Sequence, residues 1–161
     1  MTDLDVFEGD LIRMESALGL PRDASEAEDT SSRPVVLVVD DDPRVLETLQ
    51  HVLGSRYQIK IFSGGEDLLS RWSGEGDAAI LDIKMPKEDG LSVFGDLRLR
   101  APRMPVIFFT AYPGDEEAAS RARALSPAAF LGKGCSLGEL HNALRKAIGR
   151  NAELSEEGSH V

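Results

Sequence analysis

The chain of 161 residues is long enough for one domain with a sizeable core and too short for two ordinary ones. Its formal net charge is −10, yet the central residues 35–150 carry 16 acids and 15 bases, so the excess acid lies in the flanks. Without a basic cluster, direct binding to a nucleic-acid backbone is not expected.

Export and membrane insertion are not expected either. The single cysteine, Cys135, excludes an internal disulfide, and no apolar run approaches the ~20 residues of a membrane span. Asp3 and Asp5 stand where a secretion signal would be positively charged. We therefore expect a cytoplasmic protein that contacts no membrane.

The N-terminal segment, residues 1–34, differs in kind from the rest of the chain, with nine acids against three arginines. Its apolar residues fall at spacings of three and four, which predicts a short amphipathic helix: Leu4, Phe7, Leu11, Met14 and Leu18. Residues 21–34 have the polar composition of a linker, and residues 151–161 are predicted to be a disordered acidic tail. A helix this short needs a surface to pack on, either its own domain or a partner.

Between residues 35 and 150, short apolar runs alternate with longer segments of helical period. This pattern is typical of an α/β fold in which helices cover both faces of a parallel sheet. Five strands are predicted, at residues 35–39, 57–62, 78–81, 106–109 and 128–131, together with five helices. The first, third and fourth runs are apolar throughout, as expected for strands buried on both faces.

Two helix starts carry the S-x-x-E pattern of a capping box, in which Ser and Glu each bond a free backbone N–H of the first turn. The pattern predicts that Ser63 with Glu66, and Ser136 with Glu139, begin helices.

Three acids, Asp40, Asp41 and Asp42, come directly after the first strand. Asp42 stands before Pro43, a favoured pair at the start of a helix. One cap needs only one acceptor, so Asp40 and Asp41 require another explanation. The third strand runs into Asp82, and neighbouring parallel strands would bring three carboxylates to the edge where such sheets bind ligands. Like charges ~4 Å apart repel by roughly 4 kcal/mol at an effective dielectric constant of ~20, and clustered oxygen ligands suit Mg²⁺.

Thr110 ends the fourth strand, and Lys133 comes shortly after the fifth. A carboxylate nucleophile, a metal site, a hydroxyl and a lysine are the parts needed to move a phosphoryl group onto Asp82 and hold it. Taken singly, Thr110 could be a turn residue, Lys133 a solvated lysine and Asp82 a cap.

These motifs resemble the receiver domains of bacterial two-component response regulators, over residues 35–150. The matching motifs are Val39-Asp40-Asp41-Asp42-Pro43, Leu81-Asp82-Ile83-Lys84-Met85-Pro86, Asp89-Gly90, Phe109-Thr110-Ala111, and Phe130 three residues before Lys133. The resemblance implies a flavodoxin-like, doubly wound sheet of five parallel strands in the order 2-1-3-4-5, as in chemotaxis regulators. Residues 1–34 would be an extension to that domain.

The resemblance also implies the roles of the site residues. Asp82 would accept a phosphoryl group from a histidine kinase or a histidine phosphotransfer protein. Mg²⁺ would be held by Asp40, Asp41, Asp82 and the backbone carbonyl of Lys84, and Lys133 would pair with a phosphoryl oxygen. The domain would catalyse only its own phosphorylation and dephosphorylation.

A switch is implied as well. Thr110 and Phe130 would move together on phosphorylation, and the fourth helix, fifth strand and fifth helix would form the face that binds an unidentified downstream protein. Only a short tail comes after the fifth helix, so we expect a stand-alone receiver that signals by protein contact.

Several departures leave alternatives open. Gly134 replaces the usual proline after the lysine, which predicts a trans peptide or a locally mobile loop. Lys84 and Tyr112 flank the route of an attacking water, so an altered dephosphorylation rate is expected. The alternatives are a pseudo-receiver that docks partners without phosphorylation, and a haloacid dehalogenase-type phosphatase. That phosphatase would need an acid where this chain has Lys84.

Overall fold

The computed structural model describes residues 33–158, with side chains described for residues 33–151. The predicted amphipathic segment of residues 4–18 and the last residues, 159–161, lie outside the described residues. The prediction of a disordered tail from residue 151 is wrong for residues 151–158, which continue the last helix of the domain. Within the described part, no helix combines the length and apolar character needed to cross a membrane.

A five-stranded parallel sheet forms the centre of the domain. Its strands are β1 (Val35–Val39), β2 (Gln58–Phe62), β3 (Ala78–Leu81), β6 (Val106–Thr110) and β7 (Ala129–Gly132). They stand in the order β2-β1-β3-β6-β7, which confirms the predicted order of the five main strands. Two predicted strands differ from the observed ones by one residue at one end, and the fifth, predicted at residues 128–131, is displaced by one residue. Tyr57, for example, precedes β2 because its N–H donates to the Leu53 carbonyl in a turn (3.0 Å).

Helices cover both faces of this sheet, as a doubly wound fold requires. They are α1 (Pro43–Leu53), α2 (Gly65–Arg71), α3 (Gly90–Arg100), α4 (Glu116–Ala124) and α5 (Leu137–Gly158). Alternate residues of each strand face opposite sides. Val36 and Val38 pack with α1 and α5, whereas Leu37 and Val39 pack with α2, α3 and α4.

The register of β1 and β3 aligns their carboxyl ends. Val39 lies opposite Leu81, so the next residues along the two strands, Asp40 and Asp82, leave the sheet at the same edge. The N–H of Asp82 donates to the Val39 carbonyl (3.0 Å), which extends the pairing to Asp82 itself. The sheet therefore places the two carboxylates side by side.

A small hairpin that was not predicted from the sequence lies directly after β3. Its strands, β4 (Lys84–Met85) and β5 (Glu88–Asp89), pair antiparallel as a separate two-stranded sheet. Strands of two residues carry no hydrophobic period, so the pattern that identified the main strands could not reveal them. The hairpin fills the connection between Asp82 and α3.

The first predicted capping box, Ser63 with Glu66, is wrong. The second, Ser136 with Glu139, is confirmed for the hydrogen bond of its serine side chain. Helix α2 begins at Gly65 without a side-chain cap from Ser63. The Gly65 N–H donates instead to the Glu88 carboxylate, a contact across 23 residues that no local motif encodes. At α5, the Ser136 hydroxyl accepts from the Glu139 N–H (3.1 Å).

Candidate functional site

Four polar or charged side chains are buried among those the structure describes: Asp40, Asp82, Thr110 and Lys133. All four lie at or just beyond the carboxyl ends of the central strands, and sequence reasoning had selected every one of them. Burial of this kind is unfavourable unless the groups are paired. The pairing among them therefore defines the site.

Lys133 joins the two buried carboxylates. Its Nζ lies 2.7 Å from Asp40 Oδ2 and 3.4 Å from Asp82 Oδ2. The backbone holds the lysine in place, because its N–H donates to the Thr110 carbonyl (2.7 Å). The peptide bond between Lys133 and Gly134 is trans, as are all peptide bonds of the described residues, which confirms the expectation from the missing proline.

Asp41 completes a group of three carboxylates. Ligand atoms of Asp40, Asp41 and Asp82 all lie within 4.8 Å of one another, with Asp41 exposed at the mouth of the site. The Asp42 N–H donates to Asp40 Oδ1 (2.9 Å) and so fixes the orientation of that carboxylate. The Asp42 side chain accepts from the Arg44 N–H (2.9 Å) at the start of α1, which confirms its predicted role as a cap.

Burial and mutual repulsion dominate the electrostatics of the cluster. Burial, reinforced by the Asp40 charge, raises the pKa of Asp82 to about 7 although Lys133 opposes the shift. Burial likewise raises the pKa of Asp40, again against the effect of Lys133. Burial alone would lower the pKa of Lys133, but the two carboxylates raise it overall.

A divalent cation fits this donor set. Three carboxylate groups close enough to share one ion, two of them with raised pKa values, are an arrangement that a positive charge would stabilise. Lys84 lies two residues after Asp82 on β4, and the role of its carbonyl as a ligand stays a prediction. Its side chain is exposed and forms an ion pair with Asp115.

Gly90 belongs to the site, although sequence reasoning assigned it no role there. A Cβ at this position would lie 1.9 Å from the Asp82 carbonyl oxygen, so only glycine permits the observed approach. The Gly90 N–H also donates to the Ile83 carbonyl (2.7 Å). A glycine directly after Asp89, the residue that caps α3, was the signal present in the sequence.

The predicted switch residues lie on the neighbouring strands β6 and β7. Thr110 is buried, and its Oγ1 accepts from the Tyr112 N–H (3.1 Å). Phe130 is half-buried, pairs in register with Phe108 and lies under Arg123, whose guanidinium carbon is 5.2 Å from the ring centroid. The structure thus brings Thr110 to the carboxylate site and leaves Phe130 at the border of the α4 surface.

An exposed ring of side chains lies where the β4–β5 hairpin meets α4. Lys84 pairs with Asp115 and lies 5.1 Å from the centroid of the Tyr112 ring. Asp115 also caps α4 by accepting from the Ala118 N–H (3.1 Å), and Arg121 of α4 contacts Asp89 at 3.1 Å. These contacts connect the β4–β5 hairpin to α4.

A flavodoxin-like sheet with a buried aspartate, threonine and lysine at adjacent strand ends defines a receiver-type domain. The family model described as the response regulator receiver domain matches residues 36–145. The chain belongs to this family.

Two curated relatives illustrate the similarity. The DNA-binding transcriptional regulator NtrC of Salmonella typhimurium is 31% identical over 126 residues, which is 77% of this chain and 27% of NtrC. The response regulator MprA of Mycolicibacterium vanbaalenii is 33% identical over 119 residues, 71% of this chain and 50% of MprA. This chain therefore spans between about a quarter and a half of the length of these relatives.

Solved structures agree on the fold. The CheY-like receiver domain protein from Methanospirillum hungatei has a TM-score of 0.70 at 22% identity, covering 76% of this chain and 98% of its own, and shows the fold alone. The response regulator TrrA from Thermotoga maritima, crystallised in complex with Mg(2+)-BeF, has a TM-score of 0.63 at 32% identity. That match covers 71% of this chain and 98% of TrrA.

Proposed function

We propose that this chain is a phosphorylation-dependent signalling receiver in which Asp82 accepts a phosphoryl group from a phosphohistidine donor. The observation that carries the proposal is the buried contact of Lys133 Nζ with Asp40 and Asp82 inside a cluster of three carboxylates. A cap or a structural ion pair needs one carboxylate, whereas a phosphoacceptor needs a nucleophile together with cations to hold the product. The donor would belong to a sensor histidine kinase or a histidine phosphotransfer protein.

The transfer exchanges one bond for another. A carboxylate oxygen of Asp82 forms a bond to phosphorus as the bond from phosphorus to the donor's ring nitrogen breaks, and the electron pair stays on that nitrogen. Asp40, Asp41, Asp82 and the Lys84 carbonyl are the groups that would hold Mg²⁺. The bound ion would offset the charge of the carboxylates and of the phosphoryl oxygens.

Each protein group has a defined task in this proposal. Asp82 must be ionised to attack, and the ammonium of Lys133, held against both buried carboxylates, favours that state. After transfer, the same ammonium pairs with a phosphoryl oxygen. The Thr110 hydroxyl, buried at the adjacent strand end, would turn toward the new anion.

The change in partner binding would result from the rotation of the Thr110 side chain. Thr110 Oγ1 accepts from the Tyr112 N–H in this structure, so its rotation would release the loop that leads into α4. Phe130 on β7 would respond by changing its burial under Arg123. We therefore place the binding surface for a downstream protein on α4, β7 and α5. The chain would catalyse only its own phosphorylation and dephosphorylation.

Intact-mass spectrometry after incubation with Mg²⁺ and a small acyl phosphate tests this function. We expect the wild-type chain to gain one phosphoryl group and the Asp82→Asn variant to gain none. Asp96→Asn, an equal charge change on helix α3 and outside the carboxylate cluster, should behave as wild type, and a chelator should suppress the gain. A wild-type chain that stays unmodified would instead support a pseudo-receiver.

A further inference from the structure

A groove of about 470 Å³ lies between the edge strand β7 and helix α5. Its apolar lining includes Ala129 and Leu131 from β7 and Ala143 and Ala147 from α5. Ala129, Leu131 and Ala143 pack on the core cluster beneath them yet are only partly buried. Strand β7 pairs with β6 alone within the described sheet, so no further strand of that sheet covers its outer edge.

Basic side chains border the groove. Arg103, Lys146 and Arg150 are exposed along it, against a single acid, Glu139. Within the part of the chain that the structure describes, none of these three basic residues forms an ion pair. An apolar groove with a basic rim fits a ligand that is apolar on one side and acidic elsewhere.

The N-terminal segment of the same chain has this chemistry. Residues 3–18 carry five acids and one arginine around the apolar stripe of Leu4, Phe7, Leu11, Met14 and Leu18. As a helix, the stripe would extend about 21 Å, since each residue adds about 1.5 Å. The α5 side of the groove, from Glu139 to Asn151, extends about 18 Å on the same basis.

The linker between them is long enough. The first residue of β1 is three strand positions from β7, which is about 14 Å at about 4.8 Å per strand. Residues 21–32 could extend to about 40 Å and would average roughly 20 Å as a flexible chain. Tethering at such distances creates an effective concentration in the millimolar range, so a weak contact suffices for docking.

We propose that residues 4–18 dock as an amphipathic helix into the β7–α5 groove of the same chain. The apolar stripe covers Ala129, Leu131 and Ala143, and the acids face the rim formed by Arg103, Lys146 and Arg150. The docking itself does not require phosphorylation. Its consequence, a covered output face in the unphosphorylated chain, rests on the proposed function.

Paramagnetic relaxation measured on the unphosphorylated full chain tests the docking. A nitroxide is attached to Ser16→Cys, off the apolar stripe, in a Cys135→Ser background. We expect the amide signals of Ala129, Leu131, Ala143 and Ala147 to lose most of their intensity. Signals from residues of β2 on the opposite edge should keep theirs, and the amide spectrum itself reports whether the variant is folded.

Matched variants separate the apolar contact from a general charge effect. Leu11→Asp should restore the groove signals, whereas Ile12→Asp, the same change one position off the stripe, should leave them broadened. On the groove side, Lys146→Glu should reduce the broadening, and Lys87→Glu, far from the groove, should not.

Three results would overturn the proposal. The first is absent broadening at the groove, and the second is equal broadening in the Leu11→Asp and Ile12→Asp chains. The third is broadening of an isotope-labelled chain without nitroxide when it is mixed with an unlabelled nitroxide-bearing chain, which would assign the groove to a second copy. None of these results depends on whether Asp82 accepts a phosphoryl group.

Discussion

The buried cluster and the exposed ring around α4 contain ion pairs of similar length in opposite surroundings. The Lys133–Asp40 pair measures 2.7 Å with side chains 8% and 3% exposed, whereas the Arg121–Asp89 pair measures 3.1 Å with side chains 57% and 38% exposed. Water screens the exposed pair but not the buried one. The distance within an ion pair therefore does not identify the functional site. Burial does, because only unscreened charges strongly affect the stability of the fold and the chemistry of Asp82.

Removing the buried lysine should have the largest effect on stability. Lys133→Met leaves Asp40 and Asp82 without their cation, and breaking a buried pair in this way costs about 3–5 kcal/mol. We expect that loss in the free energy of unfolding, measured with urea at pH 8 without Mg²⁺. Lys84→Met, the same substitution in the exposed ring, should shift the urea midpoint far less. Equal effects of the two substitutions would contradict the contrast between buried and exposed pairs.

Removing the buried acid Asp82 should raise the free energy of unfolding at pH 8, whereas removing Lys133 should lower it. The pKa of Asp82 is raised to about 7, so the folded chain keeps this proton where the unfolded chain has lost it. Without Mg²⁺, stability should therefore fall as the pH rises from about 4 to 7, by on the order of 4 kcal/mol from this group. Asp82→Asn should flatten that part of the pH profile and be more stable than wild type at pH 8. An unchanged profile would refute the electrostatic account.

A substitution at Gly90 tests the packing around Asp82 without changing any charge. Gly90→Ala would place a methyl group against the Asp82 carbonyl, and such overpacking costs about 2 kcal/mol. Gly95→Ala in the same helix has open space and should stabilise α3 slightly, because alanine favours helix. Thermal unfolding of the two variants should shift in opposite directions. If the unfolding temperatures of both variants shift in the same direction, the close approach to the Asp82 carbonyl is not the reason for glycine at position 90.

Substitutions in the exposed ring should change the rate of phosphoryl loss more than the free energy of unfolding. Lys84 and Tyr112 lie together beside the hairpin and the loop that flank Asp82, and we expect them to hinder an attacking water. Lys84→Ala and Tyr112→Ala should therefore lose the phosphoryl group faster than wild type, as followed by mass spectrometry over time. Decay identical to wild type in both variants would exclude this role.

The sequence could predict the parts of the site that lie directly at strand ends. Residues 35–39, 78–81 and 106–109 are apolar runs whose ends are unambiguous, so the runs alone placed Asp40, Asp82 and Thr110 at one edge of the sheet. The family resemblance added the predicted roles of Lys84 and Phe130, which no pattern in this chain encodes.

The features that the sequence could not predict depend on contacts between distant residues. The Glu88 carboxylate caps α2 in place of Ser63, and the Lys84–Asp115 pair joins β4 to the start of α4 across 31 residues. The sequence also could not show that Asp41 is exposed beside the buried Asp40. The two residues have identical side chains, and only the local direction of the backbone determines which of them is buried. Local motifs describe neighbours along the chain, and these contacts are set by the packed sheet.

The most direct test of the central claim is the titration of the Asp82 carboxyl carbon by ¹³C NMR with and without Mg²⁺. We predict a midpoint near pH 7 without the ion, because the side chain is buried beside Asp40. With Mg²⁺ bound, the midpoint should fall below about 3.9, the usual value for aspartate, because the cation favours the ionised form. A midpoint near 4 that Mg²⁺ does not change would contradict the account of a buried, cation-dependent acceptor.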